Sequence, residues 1–185
     1  MSTQQNIEVK ARCSDLHRVR QILKSKAAEY RGLDNQPDTY FRVKQGRLKL
    51  RTGNIENFLI YYNRPDVKGP KLSKVLLVPT NVGSELAQIL STCLETLLTV
   101  RKKREIYFLG NVKIHLDSID GLGQFVEIEA QSDGRTETEL RAQCEECVNL
   151  FDIKTEDLLA QSYSDLLAPG SDHRRRLARD SHHRA

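Results

Sequence analysis

The stretch TVRKKREIYFLGNVKIHLDSIDGLGQFVEIEA, residues 99–130, decides the fold. It holds three runs, at residues 99–109, 112–117 and 123–130, in which polar and apolar residues alternate. A period of two is typical of a strand with one buried face. The pairs Gly110-Asn111 and Asp120-Gly121 separate the runs and favour tight turns. The stretch therefore predicts three antiparallel strands joined by hairpins.

The rest of the chain continues this pattern in both directions. Further strands are predicted at residues 7–13, 38–43, 47–52, 56–64 and 72–78, and helices at 15–28, 82–98 and 136–151, with a short one at 160–167. Ser14 and Asn81 are the candidate N-caps of the first two helices. About eight strands joined mostly by hairpins predict an α+β fold, an antiparallel eight-stranded β-barrel with flanking helices.

Composition limits the class of protein. The chain has 185 residues, enough for one domain, predicted at residues 1–168 and followed by a basic, disordered tail at 169–185. No apolar run approaches the roughly 20 residues that cross a bilayer, and residues 1–13 lack the apolar core of a signal peptide. We therefore expect a cytoplasmic protein with no membrane partner, in which the four cysteines are reduced thiols.

The positive charge of the chain does not predict nucleic-acid binding. The formal net charge is +4, but many of the basic residues lie in the tail at residues 173–185. Aromatic residues, which could stack on bases, make up only 6% of the chain. A nucleic-acid partner is therefore not expected for the folded part.

Alternation also sorts the charged residues by strand. Side chains two apart on a strand share a face, which groups Glu8 with Lys10, Lys49 with Arg51, Lys102 with Arg104, Lys113 with His115 and Asp117, and Glu127 with Glu129. A barrel closed around these faces would enclose carboxylates beside cations, which is costly unless the charges are compensated. A ligand with several negative charges, bound with a divalent metal, would compensate them.

Seven motifs in order resemble the CYTH domain, named for class IV adenylyl cyclases and thiamine triphosphatase and also called the triphosphate tunnel fold. The resemblance covers about residues 6–167. The family's opening E-x-E-x-K stands here as Asn6-Ile-Glu8-Val-Lys10, and the later matches are Asp38-Thr-Tyr40-Phe41, Leu48-Lys49-Leu-Arg51, the segment 61–73, Val100–Tyr107, His115–Glu129 and Ser162-Tyr163-Ser-Asp165.

The resemblance implies a role for each charged position. It implies Glu8, Glu127 and Glu129 as ligands of Mg²⁺ or Mn²⁺. It implies Lys10, Asp117 and Arg104 as catalytic residues. The implied phosphate-binding side chains are Lys49, Arg51, Arg64, Lys71, Lys102 and Arg104. Asn6 departs from the family pattern, because it keeps a neutral oxygen but lacks the charge of glutamate, which puts a second metal ion in question.

Members of this family either cyclise ATP to cyclic AMP and pyrophosphate or hydrolyse a terminal phosphate. The segment Arg64-Pro-Asp66, followed by Gly69-Pro-Lys71-Leu-Ser73, favours the cyclase-like branch. An inorganic or thiamine triphosphatase is the alternative, and a non-catalytic nucleotide- or polyphosphate-binding protein is the third reading.

The expected partner is a nucleoside triphosphate or another triphosphate compound, bound by a monomer or homodimer. His115 is either a general base or a structural histidine, and the tyrosines at 40, 61, 62 and 107 either stack on a base or pack the sheet.

Overall fold

The structure is a computed structural model that describes residues 3–81, 83 and 85–168. The side chains of residues 3 and 4 are not described. The tail predicted at residues 169–185, and its predicted disorder, lie outside the described residues. So does residue 82, where the second predicted helix was expected to begin.

Within the described residues, eight antiparallel strands close into a barrel, which confirms the predicted fold class. Around the barrel the strands follow the order β1-β5-β4-β3-β2-β6-β7-β8, and β8 pairs with β1 to close it. The strands are β1 (Thr3–Arg12), β2 (Glu29–Phe41), β3 (Arg47–Thr52), β4 (Asn57–Asn63), β5 (Lys71–Pro79), β6 (Thr96–Leu109), β7 (Val112–Ile119) and β8 (Gly123–Gln131).

Helices flank the barrel along its side and at one end. They are α1 (Leu16–Ser25), α2 (Leu86–Cys93), α3 (Glu137–Leu150) and α4 (Tyr163–Leu167), with a 3-10 turn at Thr155–Asp157. Asp15, not Ser14, caps α1, because its carboxylate accepts the backbone N–H of Arg18. The prediction of Asn81 as a cap is also wrong, since α2 begins after Glu85.

Two boundaries differ from the predictions because β2 and β6 pair with each other over a long span. β2 starts at Glu29 rather than 38, and β6 starts at Thr96 rather than 99. Their register runs from Glu29 opposite Phe108 to Phe41 opposite Thr96. The second helix, predicted at 82–98, therefore ends at Cys93. Tertiary pairing overrides a local apolar pattern in residues 94–98.

The outer faces of β1, β7 and β8 form the main core beneath α1 and α3. Ile7, Val9, Ile114 and Ile128 are fully buried there. They pack with apolar side chains of the two helices, among them Leu16, Val19, Leu23, Leu140 and Cys144. This core leaves the opposite faces of the same strands pointing into the barrel.

A second apolar cluster closes one end of the barrel. Tyr163 and Leu166 of α4 pack against Val100, Ile119 and Phe125, which lie where β6 begins, β7 ends and β8 begins. The barrel interior is therefore a cavity that α4 covers at one end. No described helix has the length and hydropathy that a bilayer span requires. All four cysteines are free thiols.

Candidate active site inside the barrel

The inward faces of all eight strands line one cavity. Its wall carries seven basic side chains and four glutamates: Lys10, Lys49, Arg51, Arg64, Lys102, Arg104 and Lys113, with Glu8, Glu56, Glu127 and Glu129. The alternation predicted from the sequence is the cause, because the even or odd positions of each strand share the inward face. Most of the candidate site residues are thus brought together. Lys71 and Asp117 are not among the lining residues.

The acidic side chains lie side by side on β1 and β8. Glu8 pairs in register with Glu129, and Lys10 pairs with Glu127. Ligand atoms of His115, Glu127 and Glu129 lie within 4.8 Å of one another. Burial, followed by the charge of Glu127, raises the pKa of Glu129 to about 7. A cation bound here would remove the cost of ionising Glu129.

The donor set of this cluster fits a hard divalent cation. Carboxylate oxygens are the ligands that Mg²⁺ and Mn²⁺ prefer. Two of the glutamates are ion-paired in this structure, Glu8 with Arg64 at 2.9 Å and Glu127 with Lys10 at 2.5 Å. Glu8 and Glu127 would exchange these partners for a bound metal, and the released cations would face its ligand.

His115 is a neutral member of the acidic cluster. Burial, then the charge of Arg104, lowers its pKa to about 3. Its Nδ1 lies 3.3 Å from Glu127 Oε2, while its buried Nε2 has no partner among the described residues. A neutral imidazole beside two carboxylates is a candidate metal ligand. A group with so low a pKa is a weak base at neutral pH, which argues against a general-base role.

Asp38 is a buried aspartate to which the sequence alone assigned no role. It binds three cations of the cavity lining, which we call the basic wall. Asp38 accepts hydrogen bonds from Arg51 at 2.9 and 3.0 Å, from Lys49 at 2.9 Å and from Lys102 at 2.5 Å. Burial alone would raise the pKa of Asp38, but the charges of these three cations hold it well below its usual value. Asp38 therefore holds the three cations together as one array.

Arg104 is fixed by a second buried aspartate. Asp117 accepts two hydrogen bonds from Arg104, at 2.7 and 2.6 Å, and one from the hydroxyl of Tyr163 at 2.8 Å. Arg104 also donates to Glu127 at 2.6 Å. Asp117 is fully buried and lies behind Arg104, not in the cavity wall. Its geometry is that of a residue that orients Arg104.

Arg64 and Lys71 both contact the segment that precedes α4. Arg64 donates to the carbonyl oxygen of Ala160 at 3.0 Å while pairing with Glu8. Lys71 donates to the carbonyl oxygens of Val67 and Leu159, each at 3.0 Å, and burial lowers its pKa to about 8. Lys71 was expected to contact phosphate. In this structure its ammonium group donates hydrogen bonds to main-chain oxygens instead.

Glu56 is a further residue that sequence reasoning missed. Its carboxylate accepts from Arg51 at 2.7 Å and from Gln36 at 3.1 Å, and it is ion-paired with Lys113. Glu56 precedes β4, whereas Lys113 lies on β7, well separated from β4 around the barrel. The pair therefore spans the cavity. An isolated glutamate next to a turn offers no sequence signal for such a contact.

The wall formed by β4 and β5 is less polar than the rest. Phe58, Ile60, Val75 and Leu77 line the cavity there, together with Tyr62 and with Tyr40 of β2. Tyr61 and Tyr107 are not among the lining residues, and Tyr107 packs on Tyr30 outside, with ring centroids 4.8 Å apart. The cavity thus joins a charged region to a partly apolar one.

Known proteins share this architecture. A Methanocaldococcus jannaschii protein, whose name assigns it provisionally to the adenylate cyclases, is 25% identical over an alignment of 175 residues, and the match covers 86% of this chain and 97% of that protein. A conserved hypothetical protein from Pyrococcus furiosus superposes with a TM-score of 0.76 at 21% identity, over 88% of this chain and 99% of the other.

A third similar structure is a Hippeastrum protein described as an adenylyl cyclase candidate with a dominant triphosphatase activity. It superposes with a TM-score of 0.62 at 13% identity, over 91% of this chain and 96% of that one. The family model of the CYTH domain matches residues 4–163. Because that match spans most of the sequence and every strand of the barrel, the chain belongs to the CYTH domain family.

Proposed function

We propose that this chain is a divalent-metal-dependent enzyme that converts ATP to cyclic AMP and pyrophosphate inside the barrel. The observation that carries the proposal is the pairing of two opposed charge clusters in one cavity. Glu8, Glu127 and Glu129 lie on adjacent strands, and the cations organised by Asp38 and Asp117 lie on the others. Such a cavity complements a triphosphate bound with a metal ion.

The cations of the wall would bind and orient the phosphate chain. Lys49, Arg51 and Lys102 form one array around Asp38, while Lys10 and Arg104 form another beside Glu127. Each array spreads the negative charge that develops as a phosphate bond breaks. Arg64 would turn from Glu8 to the same phosphate chain when Glu8 holds the cation.

A divalent ion held by Glu8, Glu127 and Glu129 would polarise the reacting phosphate. In cyclisation, the 3′-oxygen of the ribose bonds to the α-phosphorus, the bond to the bridging oxygen breaks, and pyrophosphate leaves while the hydroxyl proton is lost. In hydrolysis, a water oxygen bonds to the γ-phosphorus instead, the bond from the γ-phosphorus to the β,γ-bridging oxygen breaks, and ADP leaves while a proton of the water passes to solvent. Both reactions use the same cradle, so the products distinguish them.

Hydrolysis of the terminal phosphate is the second candidate. It is favoured by the Hippeastrum protein, whose similar fold carries a dominant triphosphatase activity. The cyclase assignment is favoured by the Methanocaldococcus jannaschii relative and by the segment 64–73, which resembles the cyclase-like branch.

The deciding experiment incubates the protein with ATP and either Mg²⁺ or Mn²⁺ and quantifies every product by chromatography. Cyclic AMP with an equal amount of pyrophosphate is the expected result, and ADP with phosphate would assign the triphosphatase instead. Excess EDTA should abolish turnover. Glu127→Gln should lose activity, whereas Glu145→Gln, which changes an exposed glutamate of α3, should retain it. If the protein binds ATP in the presence of the metal but forms no product, it is a non-catalytic nucleotide-binding protein.

A further inference from the structure

Besides Nε2 of His115 in the acidic cluster, two buried polar atoms of cavity-lining residues have no partner among the described residues. They are Oδ1 of Asn6 and Oγ of Ser73. Asn6 is 5% exposed and Ser73 is fully buried, and both line the cavity. Buried polar atoms are nearly always hydrogen-bonded, because a buried atom without a partner has lost its hydrogen bonds to water and gained none in return. These two atoms therefore point to a ligand group or to ordered water.

The two residues are direct neighbours across the sheet. Asn6 of β1 pairs in register with Ser73 of β5 on one side and with Gln131 of β8 on the other. Gln131 also lines the cavity and is partly exposed. Two amides and a hydroxyl thus form a neutral polar row, which we call the neutral layer. Directly opposed cross-strand side chains are close enough to contact one group together.

The position of the neutral layer relative to the charged residues follows from β1. Lys10 lies nearest the covered end, where its Nζ sits 3.8 Å from the ring centroid of Tyr163. Glu8 comes next, and Asn6 lies farthest from α4 along the strand. On β5, the apolar Val75 and Leu77 follow Ser73 in the same outward direction, and Leu77 is 38% exposed. Along β1 and β5, charged side chains therefore give way to the neutral layer and then to apolar side chains, while the ion pair of Glu56 and Lys113 crosses the cavity from other parts of the wall.

We propose that the neutral layer binds the sugar hydroxyls of a nucleoside triphosphate and so selects it over inorganic triphosphate. This rests on the proposed function, since it takes the phosphate chain to lie among the cations. Oδ1 of Asn6 is an acceptor and needs a donor such as a hydroxyl. An ionised phosphate offers only acceptor oxygens and would leave this atom unsatisfied. The apolar Val75 and Leu77 would then contact the base.

The test measures binding by calorimetry in Mn²⁺ with three analogues that resist turnover, because imido groups replace their bridging oxygens. One carries adenosine, one carries 2′,3′-dideoxyadenosine, and one is the inorganic triphosphate. The unmodified protein should bind the adenosine analogue about tenfold more tightly than the dideoxy analogue, as expected for lost hydrogen bonds. Ser73→Ala should shrink this ratio while changing affinity for the inorganic analogue less than about twofold, and Asn6→Ala should shrink the ratio as well.

Two controls keep the outcome specific. Ser91→Ala removes an exposed hydroxyl of α2 and should change no affinity. Ser73→Ala should leave the melting temperature unchanged or raise it, because the hydroxyl has no partner among the residues that the structure describes. A lower melting temperature would show that the hydroxyl serves folding, and would overturn the proposal.

The remaining outcomes separate this inference from the proposed function. Tight binding of the inorganic analogue with no preference for sugar hydroxyls overturns the inference alone, and so does a preference that survives in both variants. Failure of the unmodified protein to bind any of the three analogues overturns the proposed function and the inference with it.

Discussion

Asp38→Asn removes the negative charge that three cations of the barrel wall share. The aspartate is 1% exposed and contacts Lys49, Arg51 and Lys102 at 2.5 to 3.0 Å. Asparagine keeps the shape of the side chain but leaves the cations repelling one another in a buried site. Breaking a buried ion pair by removing one partner costs about 3–5 kcal/mol. In a domain of this size, each kcal/mol lowers the melting temperature by about 2–4 °C.

We therefore expect Asp38→Asn to melt about 10 °C below the unmodified protein, as followed by circular dichroism. Inorganic triphosphate should restore more stability to the variant than it adds to the unmodified protein, because the polyanion replaces the missing charge. Asp66→Asn is the matched control. Its side chain is 49% exposed and pairs with Arg47 at 2.9 Å and more loosely with Arg64 at 3.6 Å, so its loss should cost less than about 1 kcal/mol.

An unchanged melting temperature for Asp38→Asn would refute this account of the basic wall. So would equal stabilisation of the two proteins by inorganic triphosphate, because the array would then not be the anion site. If the single variant does not fold, Asp38→Asn combined with Lys102→Met tests the same idea, since removing one cation should recover part of the loss.

Four further predictions concern the acidic cluster and Arg104. Arg104→Ala should weaken binding of a triphosphate analogue by about 1.5–3 kcal/mol, and it should also lower the melting temperature because Asp117 loses two hydrogen bonds; unaltered affinity in calorimetry would remove Arg104 from the site. Asn6→Glu should tighten Mn²⁺ binding near neutral pH, as measured by titration, because it adds a carboxylate to the acidic cluster. The gain should be smaller at acidic pH, where the cluster takes up a proton. Equal affinity of the two proteins would place residue 6 away from the metal. In the metal-free protein, the contribution of Glu129 to stability should fall as pH rises from about 4.5 to 7, because its pKa is raised in the folded state. The lowered pKa of His115 acts in the opposite sense below about pH 6.5, so chemical denaturation must compare the unmodified protein with Glu129→Gln: the free energy of unfolding of the unmodified protein should fall relative to that of the variant over this range, and a constant difference would contradict the raised pKa. Added Mn²⁺ should raise the melting temperature at pH 7.5 more than at pH 5, and an effect independent of pH would count against carboxylate ligation.

Many residues of the candidate site could be predicted from the local sequence pattern. Alternation alone placed Glu8, Lys49, Arg51, Arg104 and Glu127 on inward faces, and the barrel puts them there. The reason is that a strand has a strict period of two, so one buried outer face determines the direction of every other side chain. The resemblance to the CYTH family supplied their expected roles, which remain proposals.

Several contacts depend on strand order, which alternation does not encode. The array around Asp38 needs β2 between β3 and β6, and the bridge from Glu56 to Lys113 needs two strands that are far apart around the barrel. Lys71 lies outside the cavity lining because its ammonium group donates to the carbonyl oxygens of residues 159 and 160, which pack beside it only in the folded chain. None of these partners is near in sequence.

What the sequence by itself determined is therefore the set of strands, their inward faces and the family. Period, turn residues and motif order are local properties, so they are visible in a linear chain. The tertiary structure alone decided which charges meet, which of them pair with one another and which atoms, such as Oδ1 of Asn6, have no partner among the described residues. Those outcomes follow from barrel closure, because only closure brings residues a hundred positions apart within hydrogen-bond distance and excludes water from them.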